Sequence, residues 1–270
     1  MEKMSVQVLV ATMNQNDDEL VKKMNIQSDA IVVNQCGENQ FNHFMQDGND
    51  FFFLSLAEKG VGLNRNNALM RATADFCILA DDDLIFADGY VEKVKKAFNE
   101  NPKADVIIFN LLGNDRIKTN KKVKVGPFSY MKYGAARIAF RRKKVSYAGI
   151  YFNQNFGGGT PYSCGEDTIF LYDCLKAGLK IIHVPMAIAK LDEKSESTWF
   201  EGYTEKYFYD RGILHANIYR KTLKTKILLN MFNEIYLLRR RFLVSDEVPF
   251  VKARGLMKDA VNDYMNFKVK

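Results

Sequence analysis

The stretch Phe76-Cys77-Ile78-Leu79-Ala80-Asp81-Asp82-Asp83 runs five apolar residues straight into three consecutive carboxylates. The apolar half reads as a buried β-strand. Neighbouring side chains on a strand point to opposite faces, so the carboxylates can converge only where the strand ends. In open α/β sheets the carboxyl ends of strands are where ligands bind. Three adjacent carboxylates repel one another unless a cation or basic group compensates, and a divalent metal is the simplest compensation. A solvated turn or a helix cap, both of which favour Asp, is the competing reading for the triplet alone.

Outward from this strand, apolar runs alternate with helical patterns. Residues 6–11, 30–33 and 51–54 read as strands, with a helix at 18–24 between the first two. Gly60-Val61-Gly62 leads a helix through Leu69 and Ala72, and Val91, Val94 and Phe98 mark one face of a helix at 89–99. Asn101-Pro102 stops that helix before a strand at 106–109. Such alternation implies parallel βαβ units and an α/β sheet. After Leu112 the pattern breaks into a polar, basic excursion at 114–124 and a strand at 138–140. Gly157-Gly158-Gly159 opens a permissive loop, a helix follows at 166–177 with Gly178 as its C-cap, and a last strand at 179–184 stops at Pro185. Beyond about Leu191 the texture is helical and rich in Tyr, Lys and Arg. Two regions are therefore expected, a sheet domain at 1–191 and a helical extension at 192–270.

With 270 residues, 47% hydrophobic and 26% charged, the chain has the composition of a globular protein with a substantial core. Its net charge of +7 is concentrated in clusters such as Arg141-Arg142-Lys143-Lys144 and Arg239-Arg240-Arg241, which suits anionic ligands. No nucleic-acid-binding signature accompanies the charge, and no nucleic-acid partner is expected. Cys36, Cys77, Cys164 and Cys174 lack zinc-type spacing. There is no signal-like apolar segment or membrane-length apolar run, so a cytoplasmic location is expected.

Four motifs now stand in order: Thr12-Met13-Asn14; Asn34-Gln35-Cys36-Gly37; Gly60-Val61-Gly62-Leu63-Asn64-Arg65-Asn66-Asn67-Ala68 before the Asp triplet; and Gly165-Glu166-Asp167 opening a helix. This ordered set resembles glycosyltransferase family 2, inverting sugar-nucleotide-dependent enzymes of GT-A fold. The resemblance spans roughly residues 5 to 190. It implies a mixed, mainly parallel Rossmann-like sheet flanked by helices, and a nucleotide-diphosphate sugar, with UDP-sugars favoured, as donor. Thr12, Asn14, Asn34, Gln35, Arg65, Asn66, Asp81 and Asp82 would line the donor site. Asp83, with Asp81 in support, would hold Mn²⁺ or Mg²⁺ as the family's DXD element, and Asp167 would be the catalytic base with Glu166 as its alternative. Gly158, Gly159 and Trp199 are acceptor-side candidates.

Each assignment has a plainer reading. Asp167 falls in a first helical turn, where the dipole favours acids and lowers their pKa unless burial compensates. Arg65 could be a solvated helix charge, His183 a packed core residue, and Trp199 a packing residue. Two departures from the family bear on specificity. Asn34-Gln35-Cys36-Gly37 stands where relatives commonly carry Asp-Asp-Gly-Ser, although an amide can still pair with a uracil edge. No histidine occurs at 186–198 to serve as a further metal ligand; Asp192 could substitute, and His215 lies further on.

The activity so implied is inverting transfer of a sugar to a glycan or lipid-linked glycan hydroxyl, in surface polysaccharide assembly. An inactive relative serving as a glycan-binding or assembly subunit is the alternative, and a sugar nucleotidyltransferase a weaker one. The latter would carry a Gly-rich cationic loop after the first strand, where Thr12-Met13-Asn14-Gln15-Asn16-Asp17 stands instead. In the tail, an apolar helical run from Ile227 to Leu238 ends in Arg239-Arg240-Arg241. It reads either as packing, on the sheet domain or a second subunit, or as peripheral contact with the anionic inner face of the plasma membrane.

Overall fold

The computed structural model describes residues 4–15, 19–113, 115–192 and 202–266. The chain divides into two compact units, Met1–Gln154 with Glu166–Glu196, and Asn155–Gly165 with Ser197–Lys270. The first unit is a mixed, mostly parallel sheet flanked by helices, as expected. Its strands are β1 (Val6–Met13), β2 (Asp29–Gln35), β3 (Gln40–Gln46), β4 (Asn49–Leu56), β5 (Phe76–Asp81), β6 (Leu84–Phe86), β7 (Val106–Leu111), β8 (Val123–Val125), β9 (Ile138–Arg141) and β10 (Ile181–Leu191). They lie in the order β3-β4-β2-β1-β5-β9-β7-β10-β6, with β8 on β10. Neighbours from β4 through β2 and β1 to β5 are parallel, and β9 runs antiparallel between β5 and β7.

Side-chain alternation explains why both faces are covered. Val6, Val8, Val10, Phe76, Ile78 and Ala80 enter one core, and Leu9, Cys77 and Leu79 enter the other. The first core is closed by α1 (Glu19–Lys23) and α3 (Tyr90–Glu100) through Leu20, Val21, Tyr90, Val94 and Phe98. The second is closed by α2 (Val61–Arg71), α4 (Arg142–Tyr147) and α5 (Glu166–Lys176), with Ala68, Leu69, Val145, Phe170 and Leu171. A Cβ on Gly62 would stand 2.5 Å from the Asn153 carbonyl oxygen, so glycine there lets α2 press against that backbone.

Three strands lie outside the sequence reading. β3 carries no strand signal in the sequence, because its side chains are mostly exposed and form no apolar run. β6 and β8 are three residues each, and β8 closes the excursion expected at 114–124 by pairing with β10. The last strand also continues through Pro185 to Leu191. Proline lacks an N–H, and the register with β7 shifts between His183 and Ala187, so the bulge absorbs the missing donor.

The second unit packs α6 (Glu205–Leu223), α7 (Lys226–Arg239) and α8 (Phe250–Met265) around Phe208, Tyr236, Leu237, Ala253 and Met257. Gly212 allows α6 to approach α8: a Cβ there would lie 2.7 Å from that of Ala260. Thr204 and Thr225 cap α6 and α7 by accepting from backbone amides in their first turns.

Candidate active site

The carboxyl end of β5 and the first turn of α5 meet at one buried guanidinium. Arg65 is 4% exposed; its Nη2 donates to Asp81 Oδ1 at 2.6 Å and its Nη1 to Glu166 Oε1 at 2.7 Å. One side chain thus spans the acidic tip of β5 and the start of α5, two places 85 residues apart in sequence. Burial works against the Arg65 charge, but the carboxylates of Asp81, Glu166 and Asp167 outweigh it and raise its pKa. Its Cζ lies 5.5 Å from the centroid of the Phe152 ring, which stacks on Phe170 at 4.6 Å.

Asp167 follows directly. Its Oδ1 accepts from the Thr168 amide at 2.6 Å, while its Oδ2 makes no hydrogen bond among the described residues. The helix start does not win here. Burial raises the carboxyl, Glu166 adds to the rise, and Arg65 and the Thr168 amide oppose it, leaving a pKa of about 7. A carboxylate at that value can hold or release a proton near neutrality.

The acidic tip divides its tasks. Asp81 holds Arg65, and Asp82 accepts a hydrogen bond from the Thr12 hydroxyl. Asp83 keeps a buried Oδ1 with no partner, and its pKa is pushed to about 6 by burial, Asp81, Asp82 and Asp192. Asp192 reaches this place because its backbone N–H donates to the Asp83 carbonyl at 2.7 Å. Lys23 offsets Asp192 at 3.5 Å and Arg65 offsets Asp81, but the orphan oxygen of Asp83 beside Asp82 fits a cation ligand. Among the described residues no three His, Cys, Asp or Glu side chains form a ready-made metal-binding group. A cleft of about 580 Å³ opens beside Asp192, lined in part by Ile85, Ile117, Arg116, Lys190 and Leu191.

The amides expected at the nucleotide pocket behave differently. Asn34 is fully buried; its Oδ1 accepts from the Gln15 N–H at 3.0 Å and its Nδ2 donates to the Gln15 carbonyl at 2.8 Å. Gln35 brackets Gly60, donating to its carbonyl at 2.7 Å and accepting from its N–H at 3.2 Å. Asn66 does the same with both backbone groups of Phe152, at 2.8 and 2.7 Å. Asn64, not singled out from the sequence, donates to the carbonyls of Thr12 and Val33. Only its place in the run Asn64-Arg65-Asn66-Asn67 signalled it. Asn14 is exposed, with φ 54° and its N–H on the Gln35 carbonyl.

Gly158 and Gly159 fall in the segment grouped with the helical unit. Thr160 Oγ1 donates to the Gly157 carbonyl at 2.7 Å, and Ser163 donates from N and Oγ to Asp210 at 2.9 and 2.8 Å. Trp199 lies outside the described residues. His183 is a packed core residue. Asn110 Oδ1 can only accept from its Nε2, at 2.9 Å, which leaves Nδ1 for the Tyr133 hydroxyl. Burial lowers its pKa to about 4. His215 is buried in the helical unit on Asn233, 2.7 Å away, with a pKa lowered by burial to about 3.

The family model described as Glycosyl transferase family 2 matches residues 29–156, which bears out the family resemblance over the segment holding Asn34-Gln35-Cys36-Gly37, the Gly60–Ala68 run and the Asp triplet; Thr12-Met13-Asn14 and Gly165-Glu166-Asp167 lie outside the match. No curated protein sequence matches the chain. The fold is similar to that of S. aureus TarS 1–349 in complex with UDP-GlcNAc, with a TM-score of 0.62 at 14% identity over 98% of this chain and 92% of that one. It is also similar to S. aureus TarS itself, with TM-score 0.62 and 16% identity over 97% of this chain and 49% of that one. The mannosyltransferase PcManGT from Pyrobaculum calidifontis, in complex with GDP-Man and Mn²⁺, gives 0.52 at 13% identity, covering 99% and 89%.

Proposed function

We propose that this chain, whose residues 29–156 match the glycosyl transferase family 2 model, moves one sugar from a nucleotide diphosphate to a glycan hydroxyl with inversion at the anomeric carbon. The observation that carries this reading is Arg65 held by Asp81 and Glu166 at once, with Asp167 beside Glu166 in the same helical turn. One guanidinium thereby links Asp81, two residues from the proposed metal ligand Asp83, to the helical turn that carries the proposed base.

Asp167 is the base. Through Oδ2 it takes the proton of the acceptor hydroxyl as that oxygen bonds to the anomeric carbon and the carbon–oxygen bond to diphosphate breaks. A near-neutral pKa suits the duty, which is worth ~10²–10⁴-fold in rate. Glu166 positions rather than reacts, since Arg65 occupies it. Asp83, supported by Asp81, would hold Mn²⁺ or Mg²⁺. Such ions use one or two carboxylates and complete their sphere with substrate phosphates, so they need no all-protein cage. The bound ion supplies neutralisation of charge growing on the departing diphosphate. Thr12 holds Asp82 by a hydrogen bond from its hydroxyl.

The donor class is supported by relatives of the same fold that carry UDP-GlcNAc or GDP-Man. UDP-sugars are the first to assay. A role in surface polysaccharide assembly, in the cytoplasm, is consistent with such donors. Calorimetry with UDP and GDP, each with and without Mn²⁺, tests the reading. Metal-dependent nucleotide binding that Asp83→Ala abolishes is expected. Equal binding with and without metal would defeat it, and metal-dependent binding without turnover on any glycan acceptor would turn it toward an inactive assembly subunit.

A further inference from the structure

The outward side of α7 carries an apolar stripe that the fold leaves uncovered. Ile227, Leu228, Met231, Ile235 and Leu238 are between 44% and 72% exposed, and Phe242, one turn beyond, is 74% exposed. At about 100° per residue the five helical positions fall within an arc of roughly 100°. Leu229, Asn233, Tyr236 and Leu237 occupy the opposite side and are buried. The helix therefore has two faces, and only one is used inside its unit. Contiguous exposed apolar surface of this kind marks a place of contact.

Charge says with what. Residues 220–243 contain seven cations and a single acid, Glu234, which is paired with Arg254 at 2.8 Å. Arg240 covers the Tyr236 ring at 4.4 Å and Lys226 donates to Asn266. Lys221 and Lys224 before the stripe, and Arg239 and Arg241 after it, remain exposed. Both ends of the stripe are thus cationic. Pairing α7 with a second copy would set like charges against each other in either orientation. No described helix is long and apolar enough to cross a membrane. An apolar face flanked by Lys and Arg matches a helix lying in the headgroup plane of an anionic bilayer.

We propose that α7 and the turn through Phe242 bind the surface of an anionic lipid membrane, stripe inward, with the two pairs of cations on the headgroups. This goes beyond the transferase reading and does not rest on it. The test is flotation of the full chain with vesicles of phosphatidylglycerol and phosphatidylcholine, against pure phosphatidylcholine, at low and high salt. Binding only to the anionic vesicles, and release by salt, is the expected result. M231E combined with I235E should cut the bound fraction about tenfold or more, and R239Q with R241Q roughly tenfold. Circular dichroism and thermal midpoints should match wild type in both, because all four side chains are exposed. The inference is overturned if wild type ignores phosphatidylglycerol, or if the Glu pair leaves binding intact. It is equally overturned if sedimentation shows a dimer that M231E/I235E dissociates while no vesicles are bound, since the face would then be a self-interface.

Discussion

Two rows of polar side chains meet at the carboxyl end of the sheet, and they are in opposite electrical condition. On the amide side, Asn34, Gln35 and Asn66 each close on the backbone of a neighbouring segment, donor and acceptor together. On the carboxylate side, Asp83 and Asp167 carry pKa values raised by burial and by their acidic neighbours, and Asp83 has an oxygen with no partner. The first row is finished by folding. The second is left short of positive charge, the condition that the proposed ion would relieve. Buried polar groups in the first condition rigidify a site, and groups in the second bind or react.

The largest effect expected follows from the carboxylate row. Asp167→Asn keeps shape and the Thr168 contact but cannot take a proton. Transfer should fall by ~10²–10⁴-fold in single-turnover assays while nucleotide affinity stays within about twofold. Wild-type kcat/KM should rise with pH through about 7, the value to which Asp167 is raised. If transfer survives in Asp167→Asn, this carboxylate belongs to the structure and the contrast between the rows dissolves.

Arg65 is where the rows are tied together, and its loss should come next. Arg65→Lys replaces a planar fork with a point charge that cannot reach Asp81 and Glu166 in the same geometry. Breaking a buried pair costs about 3–5 kcal/mol. Asp81 is 37% exposed, so water relieves part of that, and the lower end is expected in urea unfolding. Activity should fall with it, because Asp167 loses the Glu166 that Arg65 fixes.

Asn66→Ala sharpens the comparison from the amide side. It strands the N–H and carbonyl of Phe152, and should cost about 1–3 kcal/mol. The dependence of nucleotide binding on Mn²⁺ should be unchanged, as measured by calorimetry on the folded variant. An altered metal dependence would mean the amide row also faces the ligand.

How much of this could be read from the chain depends on whether a residue has one physical use or several. Val6-Gln7-Val8-Leu9-Val10 and Phe76 to Ala80 have one use, burial in a two-faced sheet, and their place follows from apolarity alone. The β3 segment Gln40-Phe41-Asn42-His43-Phe44-Met45-Gln46 is an exposed edge, held by its ladder with β4, and no alternation marks it. An asparagine at a strand end serves a base edge or a backbone segment equally well, so Asn34 and Asn66 were legible as important but not in their use. Asp167 shows the same limit in energy. A helix start lowers a carboxyl and burial raises it; here burial wins with help from Glu166, against Arg65, which lies 102 residues away.

The smallest expected effect is also the cleanest separation of the rows, because its sign is opposite to that of Asn66→Ala. A carboxyl whose folded pKa stands above its unfolded value binds protons more tightly when folded. Its stabilising contribution is full below about pH 4 and is lost as pH rises through about 6 for Asp83 and about 7 for Asp167. His183 and His215, with lowered values, act the other way over part of that window. The raw pH profile of wild type therefore mixes the two, and the difference between wild type and Asp83→Asn cancels the histidines. Between pH 4.5 and 7.5 that difference should grow in favour of the variant, reaching on the order of 2–4 °C in thermal midpoint without metal. Mn²⁺ with nucleotide should raise the midpoint of wild type and leave the variant unmoved. A variant less stable than wild type at pH 7.5 would mean Asp83 already has the partner that the orphan oxygen says it lacks.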